Sequence, residues 1–387
     1  MRFRLEVARA LRTVVVPLTA SATIAGATIA VAGWATSSSA GATASTFLSS
    51  LGPARQVAST VPGNGDVNPY GVAVVPATMG KLVKGDVLVS NFNDKANVQG
   101  TGRTIVEVSS AGKMATFAQL GSLPKSMSCN GGVGLTTALS ILPGGWVVVG
   151  SLPAGPSGAL PQVNPAGCLI VLNSAGAPVE TWSNQDINGP WDMTEVNTAS
   201  GADLFVSNAL SRPAGLKDTP QSGTCTVARI EVSISPNQLP RLTSSTAIGT
   251  GFFWKGNKAA FVLAPTGLAL SRTGTLYVAE TPSNHITAIH DALTRTTPIR
   301  DGSSTLFSGG GLDAPLGMTM TPNGDVLVVN GNDGNAVEIT PQGKQVATTT
   351  LVKNGAGDLF GVTLAPGGRQ LIFVNDGTNA LDMSPSS

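Results

Sequence analysis

The side chains able to do chemistry in this 387-residue chain are few: two histidines, three cysteines and 22 carboxylates, with charged residues at 12%. Oxygen donors are the richest resource. Asn91, Ser151, Asn208, Glu280, Asn330 and Asn375 each close a short apolar run (DVLVSN, WVVVGS, DLFVSN, TLYVAE, DVLVVN, LIFVN), and Asp192 heads another segment, DMTE. Carboxylates and amides gathered in this way suit a hard cation, with calcium the candidate and Asp192 and Glu280 its charged ligands, or the hydroxyls of a sugar or the backbone of a peptide. The same residue types also end strands for a structural reason, because Asn and Asp side chains bond nearby backbone and tolerate turn geometry. NFND, GNDGN and VNDGTN look like loose calcium loops but lack the spacing of an EF-hand loop. His285 and His290 are five residues apart, an odd spacing that puts them on opposite faces of a strand, so no two-histidine metal site is expected. No CxxC or Cys/His spacing supports a structural zinc, and there is neither a GxSxG elbow nor a phosphate loop.

The elements that position these residues are repeats. Residues 313–349 read as four short strands: LGMTMT alternates, DVLVVN is apolar enough to be covered on both faces, NAVEIT alternates again, and KQVATTT is β-branched, with Pro322-Asn323-Gly324, GNDGN and Pro341-Gln342-Gly343 between them. Four antiparallel strands in about 40 residues make one propeller blade. The first strand recurs at NPYGVAV (Gly71), GGVGLTT (Gly134), APTGLAL (Gly267), APLGMTM (Gly317) and DLFGVTL (Gly361), and at GPWDMTE with Asp192 in place of the glycine. Each recurrence is followed by one of the apolar runs above, so the expectation is an all-β, six-bladed β-propeller. The last unit lacks an outer strand. ARQVASTV, residues 54–61, resembles the outer strand of the fifth unit and is expected to close the ring.

Pro315, Gly317, Gly324, Asn330 and Asn335 fit the pattern by which the fifth unit resembles the NHL-repeat family. Through the six-bladed pattern the chain is also distantly similar to the gluconolactonase and senescence marker protein propellers, a resemblance that implies a metal held by Glu, Asn and Asp at the inner-strand entrances. The pairs preceding the six markers are Pro69-Tyr70, Gly132-Val133, Pro190-Trp191, Pro265-Thr266, Pro315-Leu316 and Leu359-Phe360, with no carboxylate or amide among them, so that metal centre is not expected. The histidines of amidating-lyase and antibiotic-lyase propellers likewise have no visible counterpart. Tyr70, Trp191, Leu316 and Phe360 instead fall at equivalent positions, either as an apolar recognition rim at the channel mouth or as a plug of the channel.

Long second-to-third-strand connections, Asn93 to Thr104, Pro153 to Gly167 and Ala209 to Thr224, crowd one face of the first three units and mark it as a binding side for a peptide, protein or small molecule, or as a cover for strand ends. The cysteines map to this face, and Cys129 with Cys168 is the favoured disulfide. Residues 1–44 carry Arg2, Arg4, Arg9 and Arg12, an uncharged stretch from Thr13 to Trp34, and Ala42-Thr43-Ala44 as a small-x-small site, the pattern of an export signal or an N-terminal membrane anchor. Residues 45–53 read as a linker and 54–387 as the propeller. A net charge of +1, with no basic run after residue 12, argues against nucleic acid. The resulting expectation is an exported, non-catalytic binding module, the alternative being a divergent metal-dependent hydrolase or lactonase.

Overall fold

A computed structural model describes residues 45–121, 123–153, 167–209, 221–257, 261–301 and 303–386. The N-terminal stretch expected to be an export signal or anchor and most of the second- and third-blade insertions lie outside these residues. Five four-stranded antiparallel sheets and one six-stranded sheet, blade 3 with Phe261–Leu263 and Ile299–Arg300 added to its four main strands, form the propeller. Blade 1 is Val67–Val74, Val87–Asn93, Thr104–Val108 and Met114–Gln119; blade 2 is Leu139–Leu142, Trp146–Ser151, Cys168–Leu172 and Pro178–Trp182. Blade 3 comprises Pro190–Thr198, Gly201–Asn208, Gln221–Ser233 and the 17-residue Arg241–Asn257, while blade 4 comprises Pro265–Leu270, Leu276–Glu280, His285–Ile289 and Thr305–Ser308. Blade 5 is Pro315–Met320, Val326–Asn330, Asn335–Ile339 and Gln345–Thr350. In blade 6, Leu359–Leu364, Gln370–Asn375 and Ala380–Pro385 are completed by Arg55–Ser59, which pairs antiparallel with the last strand.

Second and third strands are buried on both faces because each sheet packs between two others. Val326–Asn330 and Cys168–Leu172 are buried at every residue, which explains their unbroken apolar runs. Separate hydrophobic clusters fill the blade interfaces, for example Leu88, Ile105, Leu139 and Ile170 between blades 1 and 2, and Val328, Val337, Ile286 and Ala279 between blades 4 and 5. Each fully buried Val, Leu or Ile contributes about 1.5–3 kcal/mol.

The repeated glycines are where inner strands meet around the axis. A Cβ on Gly267 would lie 1.9 Å from the Leu316 carbonyl oxygen, one on Gly317 2.2 Å from that of Phe360, and one on Gly361 2.0 Å from that of Tyr70. Each inner strand therefore abuts the backbone of the next, and only glycine leaves the room. Blade 2 differs from expectation. Leu139 pairs with Val149 as Val72 pairs with Val89, so Ala138, four residues beyond Gly134, is the counterpart of Gly71. The clearance comes from the second strand, where a Cβ on Gly150 would be 2.7 Å from the Ala138 Cβ. The entrance pair of blade 2 is accordingly Thr136-Thr137.

Three ties lie beyond the repeat pattern. The stretch expected as a linker is docked: Leu48–Ser50 forms a turn of 3-10 helix, Phe47 and Leu48 are buried against Leu327, Leu359 and Phe373, and the Glu338 carboxylate accepts their amides at 3.0 and 2.8 Å. The connection leaving the third strand of blade 4 crosses back to blade 3, where Ile299–Arg300 pairs in parallel with Gly249 and Thr250. Cys129 and Cys168 form a disulfide across 39 residues, a loop whose closure is worth about 4 kcal/mol on chain-entropy grounds.

Candidate active site

An axial cavity of about 320 Å³ is lined by the inner strands of all six blades. Its wall runs from the level of the repeated glycines to Val74 and Pro76 in blade 1, and equivalently to Ile141, Glu195, Leu270, Met320 and Thr363. It therefore extends toward the face carrying the turns between inner and second strands. That is the face opposite the long insertions, whereas the sequence pointed to the inserted face.

Tyr70, Trp191, Leu316 and Phe360 stand at the other end. Tyr70, Trp191 and Leu316 are buried to 2% exposure or less. The indole Nε1 of Trp191 donates to the Tyr70 hydroxyl at 2.9 Å, the two rings meet edge-on at 5.9 Å, and Tyr70 stacks on Phe360 at 5.5 Å. These groups close the channel as core, and Tyr70 forms part of the cavity floor. Burial and the nearby Asp192 charge hold the Tyr70 phenol well above its ordinary range.

Blade 3 supplies the cavity's charge. Its inner strand reads PWDMTEVNT, whereas the other five, VNPYGVAV, LSIL, PTGLAL, PLGMTM and LFGVTL, contain no ionisable carboxylate or base. Asp192 occupies the glycine position and keeps part of its surface on the cavity. Its Oδ1 accepts the Met193 amide at 2.9 Å and its Oδ2 the Leu268 amide of blade 4 at 3.3 Å. Burial raises its pKa to about 7 against the pull of these two amides. Glu195 lies three residues on and so on the other side of the strand, where its Oε2 accepts the Ser140 hydroxyl of blade 2. Burial also raises its pKa, partly offset by that bond. Both carboxylates line the cavity from the blade 3 wall, Asp192 beside blade 4 and Glu195 beside blade 2. Glu195 escaped sequence reading, although two carboxylates on one inner strand was the available signal.

The strand-ending amides donate into the fold through Nδ2, while the Oδ1 atoms of Asn91, Asn330 and Asn375 are buried without a hydrogen-bond partner. Asn91 donates to the Thr60 carbonyl at 2.8 Å, Asn330 to that of Gly311 at 2.8 Å, and Asn375 to the Asp382 carboxylate at 2.9 Å. Asn208 accepts the amides of Asn188 and Gly189 at 3.0 and 3.2 Å and donates to the Asp186 carbonyl. Three of the four thus hold the chain entering their blade.

Glu280 behaves differently. It is 1% exposed, and its Oε1 lies 2.9 Å from Nε2 of His285, its cross-strand partner, and accepts the Thr287 hydroxyl. The His285 Nε2 is also 3.5 Å from Asp301 Oδ1. Burial alone would lower the His285 pKa, but the bonds and charges of Asp301 and Glu280 raise it to about 10. Asp192 and Glu280, paired in the sequence reading as cation ligands, sit in separate environments. At the inner-strand entrances, the aromatic plug, Thr137 and Thr266 offer no carboxylate, so a gluconolactonase-type metal has no charged donor there. Cys225 is buried, and burial pushes its thiol far up.

No family model and no curated protein sequence matches the chain. Similar solved structures include XC5397 of Xanthomonas campestris, described as a gluconolactonase, at 15% identity, 87% of this chain, 91% of that chain and a TM-score of 0.50. The PQQ-bound aldose sugar dehydrogenase of Streptomyces coelicolor follows at 16% identity, 87% and 98% coverage and 0.51, and a streptogramin B lyase at 12%, 89%, 100% and 0.51. Such neighbours are enzymes, and they overturn the reading of this chain as a non-catalytic binding module in favour of its enzymatic alternative. At these identities the likeness itself is one of architecture: the chain is a six-bladed β-propeller of the build found in gluconolactonase-like proteins.

Proposed function

We propose that the chain is a hydrolase of small polar esters or lactones working in the axial cavity, with Asp192 as general base and then general acid. The observation that carries this reading is Asp192 itself, a carboxylate in the glycine position of the one charged inner strand, with a pKa near 7 in a cavity of ligand size. A water molecule adds to the acyl carbon and gives its proton to Asp192. The tetrahedral oxyanion then collapses, the acyl–oxygen bond breaks, and Asp192 returns the proton to the leaving alkoxide. Glu195, farther along the same strand, and Ser140 of the neighbouring blade 2 hold substrate hydroxyls. No step requires a metal at the inner-strand entrances, where charged donors are lacking. Asp192→Asn is expected to lower kcat/KM on a lactone and ester panel by about 10²–10⁴-fold, with the melting temperature retained or raised. Wild-type-like turnover by that variant, or a wild-type chain inert toward the whole panel, would refute the proposal.

We further propose that this is an exported protein of NHL type whose N-terminal 44 residues direct it out of the cytoplasm. The disulfide accords with an oxidising compartment, and among the described residues no helix is long and apolar enough to cross a membrane. Intact mass spectrometry of the exported protein should give a chain beginning near Ala44 with one free thiol. A full-length chain retained inside the cell overturns this address.

A further inference from the structure

Blade 4 departs from the repeat at one position. Where blades 1, 3, 5 and 6 carry Asn91, Asn208, Asn330 and Asn375, it carries Glu280, whose carboxylate meets side chains of its own blade and lies near Asp301. The carboxylates of Glu280 and Asp301 and the imidazole of His285 present ligand atoms that all lie within 4.8 Å of one another. Their side chains are 1%, 4% and 14% exposed. They come from three places: the end of the second strand, the start of the third, and the connection that crosses to blade 3, where the Asp301 amide donates to the Thr250 carbonyl at 2.8 Å. Nearby, Thr287 and Ser283 donate to the Glu280 carboxylate, with Ser283 at 3.5 Å.

Two carboxylates and an imidazole, with ligand atoms within 4.8 Å of one another, form a donor set suited to a divalent cation. A divalent cation bound by two carboxylates and a neutral imidazole balances the site. The Nε2 to oxygen separations of 2.9 and 3.5 Å bracket the spacing of two ligands each about 2.0–2.2 Å from one ion. We propose that Glu280, His285 and Asp301 form a structural site for zinc or manganese. The imidazole suits zinc and the two carboxylates admit manganese, whereas calcium and magnesium prefer all-oxygen shells. Three protein ligands leave the fourth position to water or a further oxygen donor, and the low exposure of all three groups suits a role in holding the fold. Such an ion pins the returning connection of blade 4, and through it the long outer strand of blade 3, to the second strand of blade 4. This also revises the identity of the cation expected from the strand-end donors, since the third ligand is His285 rather than Asp192.

The test is titration of the full chain, stripped by chelator, with zinc, manganese and calcium separately. One equivalent of zinc or manganese should bind saturably and raise the melting temperature by about 3 °C or more. Glu280→Asn, which installs the residue of the other blades, and His285→Gln should each abolish that binding while keeping the cooperative melt of the metal-free chain. The imidazole nitrogen resonances of His285 should move on addition of zinc. Failure of the unmutated chain to bind either ion, preference for calcium, or equal binding by both variants would overturn the site. These readouts are independent of hydrolysis, so loss of the cation site and loss of the proposed activity are separable results.

Discussion

Asp192 shows how one residue alters a repeat. Four markers are glycine, blade 2 uses Ala138, and blade 3 uses an aspartate that reaches to the amide of Leu268 in the next blade. The cost is a carboxylate held in a largely buried position at the cavity wall. Asp192 and Asp376 both titrate near 7 in the folded chain, Asp192 through burial and Asp376 through burial and the charge of Asp358, against an ordinary value of 3.8. Between those values the folded state holds protons that the unfolded state has released, so their contribution falls as pH rises from about 4 to 7. Denaturant melts should therefore show the unmutated chain losing stability from pH 5 to pH 8 and Asp192→Asn losing less of it, so that the gain from the substitution is larger at pH 8 than at pH 5. A pH slope identical to that of the unmutated chain would show that Asp192 is ionised throughout.

At the scale of elements, the shared strand decides closure. Arg55–Ser59 pairs with Ala380–Pro385, and the preceding Phe47 and Leu48 clamp onto Glu338 and the interface of blades 5 and 6. Without the strand, the last blade presents an open edge and the ring loses its closing contact. Deletion of residues 54–61 should lower the melting temperature sharply, by roughly 10 °C or more if several kcal/mol of strand pairing and packing are lost; an unchanged melt would show that the ring closes by other means. The outer strand of this blade was legible because its β-branched alternation matched that of the fifth unit. The clamp was not legible, since Phe47 and Leu48 become core only when a distant carboxylate, 290 residues along the chain, accepts their amides. The 17-residue strand of blade 3 was also hidden, because its alternation is interrupted by polar residues and its partners include a parallel segment from blade 4.

For the whole molecule, the period of apolar runs was sufficient to count blades, because a strand sandwiched between two sheets must be apolar on both faces wherever it sits in the ring. The disulfide partners were legible for a related reason: two cysteines assigned to one blade are brought close by its own pairing, here with Cα atoms 5.4 Å apart. Which end of the channel is open was not legible. Tyr70, Trp191 and Phe360 could be placed at equivalent positions from the repeat, but only convergence around the axis turns three aromatic side chains into a hydrogen-bonded, stacked plug. Likewise the strand-end amides were visible as a set, while their bonds to entering loops, and the replacement of such a bond in blade 4 by the contact of Glu280 with His285, depend on chain segments that meet only in the closed ring. By itself, then, the sequence determined an all-β six-bladed ring and its closing strand, since these follow from local periodicity and burial. Tertiary structure decided which face opens, which carboxylates reach the cavity and which groups gather around His285, because each of these depends on side chains from different blades converging in space.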